Sequence, residues 1–556
     1  MKRLIVWAIM ASLAAMASAE EAGPLLVRIE RETRDDLRQL RAQQLPIVGE
    51  MRACLFLRGQ HEDLNWLEQH GYSIGILDAE ARDHDYLIIG LLASDSEQAL
   101  AGHGDVLLRE ENWVLLKVER GFDVTPLYGA KVMFSWLARE PVSLPQPRSE
   151  RPADSTDALE PDPLVQQVVD AVDTTEIDAI WRDLTDNPPT GTRFSRSQGC
   201  RDAADYCFNY LAGLGLETEY HDWNPEHAPN VVATLPGATH PDEIYVAVAH
   251  LDDLPSSGLA PGADDNASGS VFVLESARAM SCSAYRNTVR YLTVTGEEQG
   301  LLGSEAYAEM AHLRGDDIRG VINMDMPGWE GNGTPDPEDL DLAYNGPSEW
   351  LGLMYADIST KYNTGLAVDA FYCPSLTASD HASFWREGYS AIIGITDAQG
   401  YCGHSGTYPH YHDSTDTIEN CGDPSFFYAT VRTSTATLAE LAEPFRITFG
   451  EPFYACSSVA TIVVGDHDLN TDPGSQETIS VPVWSDTEAT PETIVLTERG
   501  ADSMLFDGTI ALTTASPVSG DGQLSIVEGD TIHSEYTDAL DCDGSPDVTY
   551  SATATI

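Results

Sequence analysis

Apolar and polar positions change their period three times along this chain of 556 residues. Over residues 25–137, short apolar runs such as Ala53-Cys54-Leu55-Phe56-Leu57, Tyr86-Leu87-Ile88-Ile89 and Trp113-Val114-Leu115-Leu116 alternate with charged stretches of helical spacing. That pattern predicts a small α/β or α+β unit with no concentration of catalytic residue types. Between Pro141 and Pro163, six prolines stand among Ser, Asp and Glu with no apolar period. This predicts an exposed linker.

From about residue 164 to 446 the period changes. Apolar runs at 244–249, 289–295, 320–324 and 390–395 have the length and composition of buried strands. Helical spacing over 164–184, 200–214, 270–280, 303–310 and 426–441 separates or flanks them. The prediction is an α/β domain with a central mixed sheet flanked by helices. After Phe449 the helical period stops, and short alternating segments at 478–483, 493–496 and 531–533 are divided by Gly and Asp turns. These predict a β-sandwich of immunoglobulin-like size, which Cys456 and Cys542, near its two ends, are placed to staple. The expected division is 1–19, 20–155, 156–447 and 455–556.

The first 19 residues bear on the compartment. Lys2 and Arg3 precede an apolar run from Leu4 to Met16 that is short for a bilayer span, and Ala17-Ser18-Ala19 has the small-x-small form of a cleavage site. An export signal cut after Ala19 is expected, with a secreted product, extracellular or periplasmic, that has no membrane span. Nine cysteines in such a compartment predict a few disulfides. Cys200 and Cys207, two turns apart on one predicted helix, are not expected to pair. The charge changes the picture further. Lys and Arg number 31 against 89 Asp and Glu, a formal charge of −58, which excludes nucleic acid as a partner.

Candidate chemistry gathers where the predicted strands end. The strand at 244–249 runs into His250-Leu251-Asp252, and a loop rich in turn residues and carboxylates, Gly262-Ala263-Asp264-Asp265-Asn266-Ala267-Ser268-Gly269, leads into a helix. The strand at 289–295 ends in Gly296-Glu297-Glu298, the next in Asn323-Met324-Asp325, and His410-Tyr411-His412-Asp413 precedes the last long helix. Taken singly, each has a bland reading as a cap, an acidic turn or a satisfied core residue. Together they place two histidines and several carboxylates at the strand ends of one α/β domain, where open sheets bind ligands, and this donor set suits zinc. No Gly-x-Ser-x-Gly elbow and no His-Glu-x-x-His helix occurs.

Those five motifs, in this order, resemble the secreted di-zinc aminopeptidases of the bacterial leucyl aminopeptidase type, relatives of glutamate carboxypeptidases and glutaminyl cyclases. The resemblance covers about residues 164–441 and implies a zinc exopeptidase fold. It implies that His250 and Asp325 bind one zinc, Glu298 and His412 the other, and that Asp265, the second of two adjacent aspartates, bridges both, leaving Asp264 to shape the loop. By the same likeness Glu297 is the general base, Asp252 holds the His250 ring, and Tyr411 stabilises the oxyanion. Asp380-His381 is expected to be structural or to line the pocket. Cys373 and Cys402 flank that segment and are a candidate disulfide, while His404 and His410 are expected to be exposed.

The implied function is hydrolysis of N-terminal residues from peptides with a free N-terminus, by a monomer. A carboxypeptidase, a glutaminyl cyclase or a non-catalytic surface-binding protein are the alternatives. The N-terminal unit, residues 20–155 with the linker, occupies the place of a prosequence in that family, with a retained accessory domain as the alternative. Asp466-His467-Asp468-Leu469-Asn470 and Asp472 form either a structural calcium site or, given a spacing that misses the EF-hand loop, an acidic turn.

Overall fold

Three parallel strands of one sheet end side by side, and the polar residues just beyond them define the region of interest. The computed structural model describes residues 24–30, 45–51, 54–91, 100–110, 113–120, 122, 127, 132–137, 160–186, 191–254, 259–331, 339–374, 376–398, 401–404 and 408–556. The expected export signal lies outside them, as does the linker up to residue 159.

The described residues fall into two compact units. The first comprises the described residues up to 137 with those of 299–301 and 373–388, and the second comprises the described residues of 160–298, 302–372 and 389–556. In the first, strands Leu25–Glu30, Ile47–Met51, Cys54–Gly59 and Ile74–Asp78 form one antiparallel sheet, and His84–Leu91, Asp105–Glu110, Trp113–Glu119 and Val132–Trp136 form another. With the helix His61–Gln69 this makes an α+β unit.

The second unit is built on an eight-stranded sheet whose strands we number β1 (Glu217–His221), β2 (Asn230–Leu235), β3 (His240–His250), β4 (Asn287–Val294), β5 (Asp317–Met324), β6 (Leu340–Tyr344), β7 (Val368–Tyr372) and β8 (Ala391–Ile395). Their order is β7-β6-β8-β5-β3-β4-β2-β1. The central strands β3, β4, β5 and β8 run parallel, as near-continuous apolar runs buried on both faces do. Register then sets the geometry of the ends. Val248 pairs with Asn323, so His250 and Asp325, two residues further along each strand, fall level and on one face. Helices Gly269–Met280 and Pro424–Ala442 pack in the core beside these strands.

The helix expected over 164–184 is two helices, Pro163–Asp170 and Thr174–Asp186. Asp173 interrupts it: its carboxylate accepts the amide of Thr175 at 2.8 Å while its own amide donates to buried Glu275 at 2.7 Å. A local cap thus overrides a continuous apolar period.

The C-terminal strands join this second unit. They form one hydrogen-bonded path rather than two separate sheets: Ile447–Phe449, Val459–Gly465, Leu505–Thr513, Glu492–Glu498, Thr478–Ser485, Thr531–Leu540 and Pro546–Thr555, with Gln523–Ser525 beside Leu505–Thr513. Two junctions are short, two residue pairs at one and three at the other. Residues along the whole path bury a common core that includes Phe449, Ile462, Val483, Leu496, Phe506 and Ile532.

The staple expected between Cys456 and Cys542 is absent: Cys542 is bonded to Cys282, just beyond the helix Gly269–Met280, and Cys456 is free. Cys200 and Cys207 are buried and free, and Cys373 and Cys402 are disulfide cysteines. Beside the Cys282 bond, buried Arg446 donates to Asp541 at 2.8 and 2.9 Å, to Ser283 at 3.1 Å and to Gln167 at 3.3 Å. These contacts fasten the C-terminal sheet to the helical side of the second unit.

A charge of −58 places like charges within reach of each other over the folded surface. Added salt shortens the screening length from about 30 Å at 0.01 M to about 3 Å at 1 M. The melting temperature should therefore climb as NaCl is raised across that range. A flat or falling curve in a thermal-shift series would show that this repulsion does not limit stability.

Candidate active site

The residues beyond β3, β4 and β5 meet the loop that opens the helix Gly269–Met280 and the segment ending in His412. His250 is the last residue of β3 and is fully buried. Its Nε2 lies 3.3 Å from Asp325 Oδ1 and 3.4 Å from Asp265 Oδ1. His412 Nε2 lies 3.2 Å from Asp265 Oδ2 and 3.0 Å from Glu298 Oε2. Asp265 thus presents one oxygen to each imidazole. Two triads result, His250 with Glu297 and Asp325, and Asp265 with Glu298 and His412; within each, the ligand atoms lie within 4.8 Å of one another. Mixed imidazole and carboxylate donors at this spacing can hold metal ions.

The loops around these groups are fixed by hydrogen bonds. Asn266 donates to the main-chain oxygen of Met324 at 3.0 Å and accepts the amide of Gly269 at 2.9 Å. A Cβ on Gly269 would come within 2.3 Å of that same oxygen, so the loop approaches β5 at backbone distance. Asp264 turns away from the triads and accepts the amides of Gly328 and Trp329 at 2.7 and 3.1 Å. Asp416, four residues beyond His412, accepts the amides of both Asp264 and Asp265 at 2.9 and 3.0 Å and the hydroxyl of Tyr408 at 2.8 Å. It joins the His412 segment to the Asp265 loop. His412 adopts φ +55°, a conformation rare for a non-glycine residue.

Asp252 is fully buried, but its carboxylate is 3.9 Å from His250 Nδ1, which lies 3.0 Å from the Asp252 main-chain oxygen instead. The carboxylate accepts the amide of Glu297 at 3.2 Å. Asp252 therefore touches both the imidazole and the residue proposed as base. Tyr411 stacks on His412 with ring centroids 3.7 Å apart.

Electrostatics in this cluster are set by the excess of carboxylates. Burial opposes a charge on His250, yet Asp325, Glu297 and Asp265 raise its pKa well above the usual histidine value. Burial likewise opposes charge on His412, and Glu298 with Asp265 raises it to about 10. Burial lifts Glu298 to about 7 against the pull of His412, and lifts Asp252 to about 6. Burial, with Asp265, Glu298, Glu297 and Asp325 nearby, pushes the Tyr411 hydroxyl well above its ordinary range. A site that holds protons on its imidazoles in place of a cation must release them when a cation binds.

Other candidates fall elsewhere. His381 is buried in the first unit, its Nε2 2.7 Å from the main-chain oxygen of Leu376, and burial lowers it to about 3. His404, expected to be exposed, is partly buried, stacked on Phe371 and paired at 3.0 Å with buried Asp341. In the C-terminal sheet, Asp466 accepts the amide of Asp468, and Asp472 accepts the amide of Gly474 and the hydroxyl of Ser475, as in an acidic turn. Arg193, not singled out in the sequence, lies buried beneath the loops that carry His250 and Asp265.

Residues 230–436 match Peptidase family M28. A probable leucine aminopeptidase of Trichophyton verrucosum (strain HKI 0517) is 30% identical over 257 residues, 43% of this chain and 66% of its own length. Another, of Arthroderma benhamiae (strain ATCC MYA-4681 / CBS 112371), is 34% identical over 258 residues, 43% of this chain and 65% of its own. The chain spans between 51% and 66% of the length of the curated relatives it first matches. The solved structure of the LapA aminopeptidase of Legionella pneumophila covers 65% of this chain and 98% of its own at 18% identity and a TM-score of 0.49. The likeness of this chain to Peptidase family M28 thus lies in the residues that form the central strands and the loops of the site.

Proposed function

We propose that the protein is an exported aminopeptidase that uses two zinc ions, one held by His250 and Asp325 and the other by Glu298 and His412, with Asp265 shared between them. The observation that carries this is the single carboxylate of Asp265 facing two imidazoles, with a further carboxylate beside each. The fit can be tested on distances. Tetrahedral zinc with bonds of about 2.0–2.2 Å holds neighbouring ligand atoms about 3.4 Å apart. The four imidazole-to-carboxylate separations are 3.0, 3.2, 3.3 and 3.4 Å. Glu298 Oε1 is also buried with no hydrogen bond, as a ligand oxygen would be.

The zinc pair, when bound, would supply Lewis acidity that makes water nucleophilic at neutral pH and polarises the scissile carbonyl. The chain supplies the rest. Glu297, its amide anchored on Asp252, takes the proton of the attacking water and returns it to the leaving amine. Burial and the surrounding carboxylates keep the Tyr411 hydroxyl protonated, so it can donate to the developing oxyanion. Excess carboxylate charge favours the α-ammonium of a peptide N-terminus over a C-terminal carboxylate. Arg193, the arginine packed beneath the site, directs its side-chain donors to main-chain carbonyls and offers no clamp for a carboxylate. The disulfide Cys282–Cys542 fits an oxidising compartment, as the expected export signal requires.

The test is a short peptide offered free, N-acetylated or C-amidated, with products read by mass spectrometry and chelator as control. Stepwise shortening from the N-terminus should occur, be lost on acetylation or chelation, return with zinc, and survive amidation. Shortening from the C-terminus would give the site to a carboxypeptidase. Loss of ammonia from an N-terminal glutamine, with no bond cut, would give it to a cyclase.

A further inference from the structure

We infer that Arg193 is a positioning residue, which holds the loop after His250 and the loop before Asp265 in one register so that both ligands stand ready for metal. The inference rests on the zinc reading above. Arg193 is 0% exposed and lies seven residues beyond the helix Thr174–Asp186. Its Nε donates to Leu251 O at 2.8 Å, Nη1 to Leu184 O at 2.8 Å and to Pro261 O at 2.7 Å, and Nη2 to Gly262 O at 2.8 Å.

The positions of these four carbonyls matter. Leu251 follows His250, Pro261 and Gly262 open the turn that carries Asp265, and Leu184 sits in the last turn of a helix whose Trp181 donates to Ala263 O at 2.7 Å. One rigid planar group therefore ties three separate segments together. A lysine, with three donors on a flexible stem, could not span the same four acceptors. Gly262 makes the approach possible. At φ +51°, a Cβ there would come within 2.8 Å of Arg193 Nη2 and 2.6 Å of Asp265 O.

The charge is balanced next to the clamp. Asp253 Oδ2 is 3.5 Å from Nη1, and the Asp253 carboxylate also accepts the Arg193 amide at 2.9 Å and the Thr192 hydroxyl at 2.8 Å. Asp253 follows Asp252, so the counter-ion is attached to the same loop that the guanidinium holds. No Arg193 hydrogen bond reaches a ligand side chain: the guanidinium holds the backbone that carries His250 and Asp265, and its charge acts on the Asp265 carboxylate besides.

The same chain contains a matched control. Arg446 is also buried, with 2% exposure, but it holds Asp541, Ser283 and Gln167 at the C-terminal sheet. Full-length wild type, R193K, R193M and R446K would be compared for zinc affinity by chelator competition, for the electronic spectrum of the cobalt-loaded form, and for the melting temperature of the metal-free form. R193K should bind zinc about 10–100-fold more weakly and show an altered cobalt spectrum, the range typical when a ligand's supporting residue is lost. R446K should lower the metal-free melting temperature while leaving affinity and spectrum as in wild type. R193K with wild-type affinity, or R446K weakening zinc equally, would overturn the clamp. R193K carries the test even if R193M does not fold. Wild-type protein that takes up no zinc would instead overturn the metal reading, and the clamp with it.

Discussion

Glu297→Gln is expected to lower turnover by about 10²–10⁴-fold, the usual contribution of a general base, with zinc content unchanged. Gly296, at φ +79°, swings the chain out of β4 toward the neighbouring strand ends, where the amide of Glu297 is held by Asp252. Its carboxylate lies within 4.8 Å of ligand atoms of His250 and Asp325, so by proximity alone it could be a ligand or a proton carrier. Asp265 argues for the second role. Its Oδ1, 3.4 Å from His250 Nε2, already offers that imidazole a carboxylate in addition to Asp325. Glutamine keeps the shape and an oxygen but cannot take a proton near neutral pH. Loss of about one zinc per chain in the variant would move Glu297 into the ligand set. Near-normal turnover would remove it from the chemistry altogether.

What could be read in the sequence were features whose cause is local. The strands at 244–249, 289–295, 320–324 and 390–395 are runs of apolar residues buried on both faces, and β3, β4, β5 and β8 contain them almost to the residue. His250, Glu297, Glu298 and Asp325 could be singled out because a polar residue directly after such a run has few other places to go. Shorter or half-exposed strands gave no comparable signal. Val368–Tyr372 is a sheet edge with Asp369 exposed, and its partner Leu340–Tyr344 contains buried Asp341. Long-range pairings were illegible for a different reason. Arg193 finds its partners 9, 58, 68 and 69 residues away, and Cys542 finds Cys282 at a separation of 260. Nothing in a local pattern encodes which carbonyl an arginine will reach. Cys542 could not be assigned to Cys282 until the C-terminal sheet was seen docked on the peptidase region.

Asp265→Ala should empty both metal positions, whereas Asp325→Ala and Glu298→Ala should each weaken one first. Asp265 alone faces both imidazoles, Oδ1 toward His250 and Oδ2 toward His412. The loop should not shift to compensate. The amide of Asp265 remains on Asp416, Asn266 remains tied to Met324, and there is no room for the backbone to close on β5 at Gly269. Alanine therefore removes two donors from fixed places. Each zinc would keep one imidazole and one carboxylate, two protein donors where structural and catalytic zinc sites use three or four. Electrostatics act in the same direction, because burial opposes a charge on the Asp265 carboxylate, while His412, His250 and Arg193 hold it below the usual range. Without it, His412 loses part of the negative surround that now raises it to about 10, and the positive charge of two metals is less well compensated. Metal analysis after gel filtration should find well under one zinc per chain in Asp265→Ala and no recovery of hydrolysis on adding zinc at micromolar levels. A variant that still carries two zinc ions would show that the metals do not share this carboxylate, and the paired site would have to be redrawn as two independent ones.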